Sequence, residues 1–203
     1  MADYARIYAT VRAVLDGVQA HTTEACIFFS LAGAYLLEKY HKISARPMAG
    51  AAFFGLGGNP PNVLSFARFE ENVAVSDHTA FHCWVDCGDW AIDFMAPIFP
   101  EKARRQNIQV SVPSKMFQRP FATMADHVDL QSMGDFLMIP NPGLTAELLT
   151  STLAKPTTGD LANICGDWYR PAKKKMKPTL TMGSDDGTIR TLRLPSVSLT
   201  GAW

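Results

Sequence analysis

Phe81-His82-Cys83-Trp84-Val85-Asp86-Cys87-Gly88-Asp89-Trp90-Ala91-Ile92-Asp93-Phe94-Met95 is the stretch on which the fold turns. Two runs rich in aromatic and β-branched residues flank Gly88-Asp89. A two-residue glycine-containing connection between such runs signals a tight β-hairpin. That turn fixes a register: Cys87 pairs with Trp90, Val85 faces Ile92, Trp84 faces Asp93 and His82 faces Met95. Strand alternation then puts His82, Trp84, Asp86, Ala91, Asp93 and Met95 on one face. Cys83, Val85, Cys87, Trp90, Ile92 and Phe94 lie on the other, more apolar face. His82 and Asp93 become diagonal cross-strand neighbours, with Cα atoms roughly 7–8 Å apart, within reach of a histidine–carboxylate hydrogen bond.

Working outward, residues 3–18 carry Ile7, Val11, Val14, Leu15 and Val18 at three-and-four spacing, an amphipathic helix. A second helix is expected from about Glu24 to Lys39, capped by Thr22 or Thr23. It is apolar almost all round, through Cys26, Ile27, Phe28, Phe29, Leu31 and Leu36, so it is buried on most sides and central to the fold. Ile43 to Gly58 reads as a strand entering a flexible loop, Gly55 to Pro61. Strand material follows over 63–75 and a turn at Ser76-Asp77-His78. After Pro97 the chain reads as irregular to about Val112. Helices are expected at 143–154 and 158–169, and a closing hairpin pairs 179–182 with 188–194 around Gly183-Ser-Asp-Asp-Gly187. The class is α+β, helices packed on an antiparallel sheet, in one domain spanning 1–203 with its core in about 3–97 and an appended 143–194.

Composition narrows the function. The 203 residues hold 19 basic and 19 acidic groups, for zero net charge, and are 47% hydrophobic. Such a chain is not disordered, and it lacks the basic footprint of a nucleic-acid binder. The lysines 173, 174, 175 and 177 read as a solvated segment. The longest apolar run, Ala25 to Leu37, is too short to span a bilayer. No secretory leader is legible in Ala2-Asp-Tyr-Ala-Arg6, and four cysteines at 26, 83, 87 and 165 are not a disulfide scaffold. A cytoplasmic protein is expected, with a small-molecule or peptide substrate, and neither nucleic-acid nor membrane partners.

A His–Asp pair is half of a nucleophilic site; a cysteine or serine supplies the rest. Cys26 falls in the first turn of the buried helix, where unpaired N–H groups and the helix dipole favour a thiolate. Cys83 and Cys87 point to the apolar face, and Cys165 sits with Leu161 and Trp168 as core. A cysteine opening a central helix, a His-x-Trp strand and an aspartate in the next strand resemble the papain-like cysteine proteinase superfamily in its transglutaminase-like order. Here these are Cys26, His82-Cys83-Trp84 and Ile92-Asp93-Phe94, with the likeness covering about residues 20 to 97. The chain is also similar to an uncharacterised bacterial family of about this length placed in that superfamily, which implies the fold without a substrate. The Cys-Gly-Ser-Cys-Trp signature of papain-type peptidases is absent, as is the Arg-Gly-Gly-x-Cys motif of arylamine N-acetyltransferases. The resemblance implies a Cys26-His82-Asp93 triad performing covalent acyl transfer without a cofactor. It also implies a glutamine for the oxyanion hole, for which Gln19 is the candidate, slightly off the papain spacing. Trp84 is taken as core and pocket wall.

Two other readings accompany this one. His78, His82, Cys83 and Cys87 are four metal-ligating types within ten residues, a zinc reading that alternation opposes by sending His82 and Cys83 to opposite faces. A non-catalytic binding module on the same fold is the other, favoured by Glu24, whose charge beside Cys26 disfavours a thiolate.

Overall fold

The computed structural model describes residues 2–169, 175–196 and 199–203. Of the expected lysine-rich segment, Lys173 and Lys174 lie outside the described residues, whereas Lys175 and Lys177 are exposed.

The first helix, α1 (Ala2–Gly17), buries Ile7, Val11, Val14 and Leu15 along one stripe. Its outer side carries the Arg12–Asp16 pair, one turn apart at 2.8 Å. The central helix α2 (Cys26–Leu36) is shorter at its start than the apolar pattern suggests. Thr22–Glu24 form a separate 3-10 turn, and Ala25 occupies the N-cap with no side-chain hydrogen bond, so neither threonine caps the helix. Cys26 is therefore the first helical residue. At its far end α2 widens into a π turn, Leu37–His41, and stops at Lys42, which adopts a left-handed conformation with φ of 58°.

Strand β1 (Arg46–Gly57) is the organiser of the sheet. Its first half pairs antiparallel with β5 (His82–Asp86), and its second half with both β2 (Asn62–Phe66) and β8 (Phe136–Pro140). Beyond β5 come β6 (Trp90–Asp93) and β7 (Phe117–Pro120), also antiparallel. The expected flexible loop at Gly55–Pro61 is strand in its first part: β1 continues to Gly57, and residues 58–61 turn back into β2. The glycines of β1 serve close approach rather than mobility. A Cβ on Gly50 would lie 2.0 Å from the Ile139 carbonyl oxygen, and one on Gly55 2.3 Å from that of Ser132. The expected 63–75 strand divides into β2 and a small outlying hairpin, β3 (Arg68–Glu70) with β4 (Val73–Val75), turning at Glu71 and Asn72 with φ of 49° and 66°.

The decisive hairpin has the register that Gly88-Asp89 dictates. Val85 pairs with Ile92, Asp86 with Ala91, and the Cys87 N–H meets the Trp90 carbonyl at 2.9 Å. Residues expected to be irregular after Pro97 include a short helix, α3 (Phe99–Arg105), with a proline in its first turn and three cations in its last. Helices α4 (Pro142–Leu153) and α5 (Pro156–Trp168) and the hairpin β9 (Thr179–Gly183) with β10 (Ile189–Arg193) fall where the pattern places them.

The protein is thus α+β, with helices against one face of a curled antiparallel sheet. Helix α2 lies on β5 and β1, and α1 lies across α2. The main core holds Phe29, Val11, Val14, Trp84, Val85 and Phe94. Ala51, Phe53, Leu130 and Leu137 form a smaller cluster of their own. Among the described residues no helix is long and apolar enough to cross a membrane.

Candidate active site

The start of α2, the start of β5 and the end of β6 meet at one cleft. It has a volume of about 460 Å³, and its walls include Cys26, Phe66, Phe81, His82, Met95 and Lys102. Each functional side chain owes its place to local structure. Cys26 opens α2, so its N–H belongs to the first turn, whose donors have no intrahelical acceptor. His82 opens β5, and Asp93 ends β6, which the hairpin register makes its diagonal neighbour.

His82 Nε2 lies 2.6 Å from Asp93 Oδ2, with the two side chains 0% and 1% exposed. The other carboxylate oxygen, Oδ1, accepts the Met95 N–H at 2.8 Å, which fixes the carboxylate plane. The Tyr4 hydroxyl donates to the Asp93 backbone carbonyl, tying α1 to the same point. Aromatic rings hold the imidazole from the sides: Phe66 at 4.2 Å between ring centres and tilted by 30°, Phe54 edge-on at 5.8 Å. The second ring nitrogen, Nδ1, is buried with no hydrogen-bond partner of ordinary geometry, and so is the Thr23 hydroxyl on the cleft wall.

Electrostatics follow from this packing. Burial by itself pushes the His82 pKa down, but the Asp93 charge and hydrogen bond, aided by Cys26, carry it up to about 9. The Cys26 thiol moves the other way, down to about 5. The largest cause is a hydrogen bond from the Cys83 thiol; burial opposes it, and the His82 hydrogen bond, the His82 charge and the Cys83 backbone N–H add to the lowering. Cys83 is held well above its usual value, because its thiol proton serves the Cys26 sulfur and because it is buried. The pair is thus disposed as thiolate and imidazolium at neutral pH.

Cys83 is the site residue that sequence reasoning missed. The signal was present: the apolar face of the hairpin is the face α2 packs on, and α2 carries Cys26. Treating that face as mere core hid the contact. Of the other cysteines, Cys87 is half-buried and pushed up to about 11 by burial, and buried Cys165 is raised by desolvation alone. All four are free thiols. Gln19 is not brought to the cleft; it is exposed on the turn after α1, with φ of 59°. Trp84 is 1% exposed within the main core rather than a cleft wall. The four residues of the zinc reading do not converge. His78 is exposed and bonds Glu147 at 2.9 Å, and Cys87 sits just past the far end of β5. Among the described residues no three His, Cys, Asp or Glu side chains are grouped to hold a metal. Glu24, two residues before Cys26, faces Arg105 at 3.7 Å, which offsets its charge.

The family model described as "Protein of unknown function (DUF2026)" matches residues 1–203. The chain belongs to this family. No curated relative matches the chain. Among solved structures, one described as "The crystal structure of genomics APC5867" is similar with a TM-score of 0.86 and 38% identity, over 100% of this chain and 95% of that one. The DUF2026 architecture described above is therefore shared along the whole length.

Proposed function

We propose that the protein is a cysteine-dependent acyl-transfer enzyme, hydrolysing or transferring an amide, peptide or thioester acyl group, on a papain-like fold of transglutaminase-like order. The observation that carries the reading is the buried His82–Asp93 bond of 2.6 Å beside Cys26 at the cleft, with the thiol pKa drawn down to about 5.

In this scheme the Cys26 thiolate attacks the substrate carbonyl carbon and forms a tetrahedral intermediate. Its oxyanion is stabilised by the Cys26 backbone N–H at the head of α2. His82, protonated at Nδ1, gives that proton to the leaving group as the carbon–heteroatom bond breaks, leaving a thioester on Cys26. Neutral His82 then takes a proton from water or an amine as it attacks the thioester, and the thiolate departs. Asp93 holds the ring through Nε2 and stabilises its charged form. Cys83 keeps the resting sulfur ionised. Four free cysteines and this chemistry suit a reducing compartment.

The test is a panel of electrophilic amide, peptide and thioester probes, read by intact mass and peptide mapping, with Cys26→Ala as control. An acyl adduct on Cys26 that is absent in the variant is expected. No adduct with any probe, or adducts on Cys87 instead, would sink the reading in favour of a binding role.

A further inference from the structure

We infer that Lys102 forms a carboxylate-binding subsite in the Cys26 cleft, so that the substrate is an acyl compound carrying a carboxylate near the scissile carbonyl. This rests on the proposed acyl-transfer role of Cys26 and names its substrate class.

Besides the Cys26–His82 pair, the cleft holds three charged or chargeable side chains: Glu24, His78 and Lys102. Glu24 faces Arg105 at 3.7 Å, and His78 bonds Glu147 at 2.9 Å. Lys102 has no carboxylate within ion-pair distance among the described residues. Its ammonium stands over the Phe66 ring, 5.6 Å from the ring centre. The same ring packs on the His82 imidazole at 4.2 Å. Phe66 therefore touches both the unpaired cation and the imidazole of the reacting pair, and all three line the one cleft that also holds Cys26. A ligand in that cleft of about 460 Å³ with its carbonyl at Cys26 shares it with the Lys102 ammonium. A cation on an aromatic face is already partly shed of water, so it meets an anion at lower desolvation cost. A neutral substrate would leave this charge unmatched, and a cationic one would be repelled by both Lys102 and the His82 imidazolium.

The inference is testable without the natural substrate. Alkylation of Cys26 forms a C–S bond as iodide leaves, and the rate can be compared for N-iodoacetylglycine and its neutral isostere N-iodoacetylglycinamide. The anionic-to-neutral rate ratio is the readout, so each variant carries its own reference. The wild-type ratio is expected to fall about two- to five-fold in Lys102→Met, the range of a partly exposed ion pair, and to be retained in Lys102→Arg. Raising the salt concentration is expected to shrink the wild-type ratio toward the Lys102→Met value. Should Lys102→Met fail to fold, Lys102→Gln and the salt titration carry the test. A ratio unaffected by loss of the charge, or insensitive to salt, would overturn the subsite. Failure of the underlying reading looks different: the neutral probe itself would label Cys26 no faster than an ordinary thiol.

Discussion

Replacing Asp93 by Asn keeps shape and removes charge, and it probes how the thiolate is sustained. In the native protein His82 is fully buried, and the carboxylate 2.6 Å away lifts its pKa from 6.5 to about 9. That shift corresponds to about 3 kcal/mol favouring the imidazolium. In Asp93→Asn the two largest raising causes are gone and only Cys26 still opposes the downward pull of desolvation, so the His82 pKa falls and the imidazolium is depleted. The Cys26 thiol then loses its cationic partner and keeps only the Cys83 hydrogen bonds, so its pKa climbs from about 5 toward the ordinary value of 9. The assay is the rate of Cys26 alkylation by iodoacetamide as a function of pH. The rate at pH 7 alone is a poor readout, because a thiolate of higher pKa is less abundant but more nucleophilic, and the two effects offset. The midpoint of the profile has no such cancellation, and it should rise by at least about one unit. Stability provides a second readout. A raised histidine pKa contributes stability that is fully present below pH 6.5 and is lost as pH rises through about 9. The difference in Tm between native protein and Asp93→Asn should therefore be widest in mild acid and narrow as pH approaches 9. An unchanged alkylation midpoint in Asp93→Asn would refute the reasoning, because the thiolate would then owe nothing to the His82–Asp93 pair.

Three further outcomes are expected. Cys83→Ala should leave Cys26 as the labelled residue but raise its midpoint from about 5, since the largest cause of the lowering is removed; a midpoint that stays put would deny Cys83 its role. Gly50→Ala places a Cβ 2.0 Å from the Ile139 carbonyl oxygen, a backbone atom that cannot rotate away, and should cost about 1–3 kcal/mol in denaturant unfolding. Gln19→Ala should leave the Cys26 labelling rate and midpoint unaltered, because Gln19 is exposed and outside the cleft; a large loss would restore it as an oxyanion donor.

The parts legible in the sequence were those set by local chemistry. Gly88-Asp89 allows one tight turn, so the Val85–Ile92 pairing, and with it the His82–Asp93 contact, could be worked out residue by residue. Likewise the apolar girth of α2 marked it as central, and its neighbours α1, α4 and α5 showed their periods. Illegible parts depended on partners distant in the chain. Gly55 looked like a loop residue because nothing local reveals that the Ser132 carbonyl presses against it. Strands β7 and β8 were missed because short strands gain their identity from β6 and β1, not from their own sequence. Thr22 and Thr23 suit a cap chemically, yet the chain spends them in a 3-10 turn and lets Ala25 precede the helix. Gln19 is what the papain-like resemblance implies as an oxyanion glutamine, whereas the left-handed turn at that residue leaves it in solvent. Cys83 was assigned to the correct face but not to the site, because a face is a strand property and a contact needs the helix above it.

The proposed chemistry requires Cys26 to be a standing thiolate, supported by Cys83 and by the His82–Asp93 pair. The most direct test is alkylation of the native protein with limiting iodoacetamide across pH 4 to 10, each cysteine followed by peptide mapping. Cys26 is expected to be labelled first, on a curve with its midpoint near pH 5, while Cys87 and Cys165 stay unreactive at neutral pH. A Cys26 midpoint near that of a free thiol, or preferential labelling of another cysteine, would contradict it.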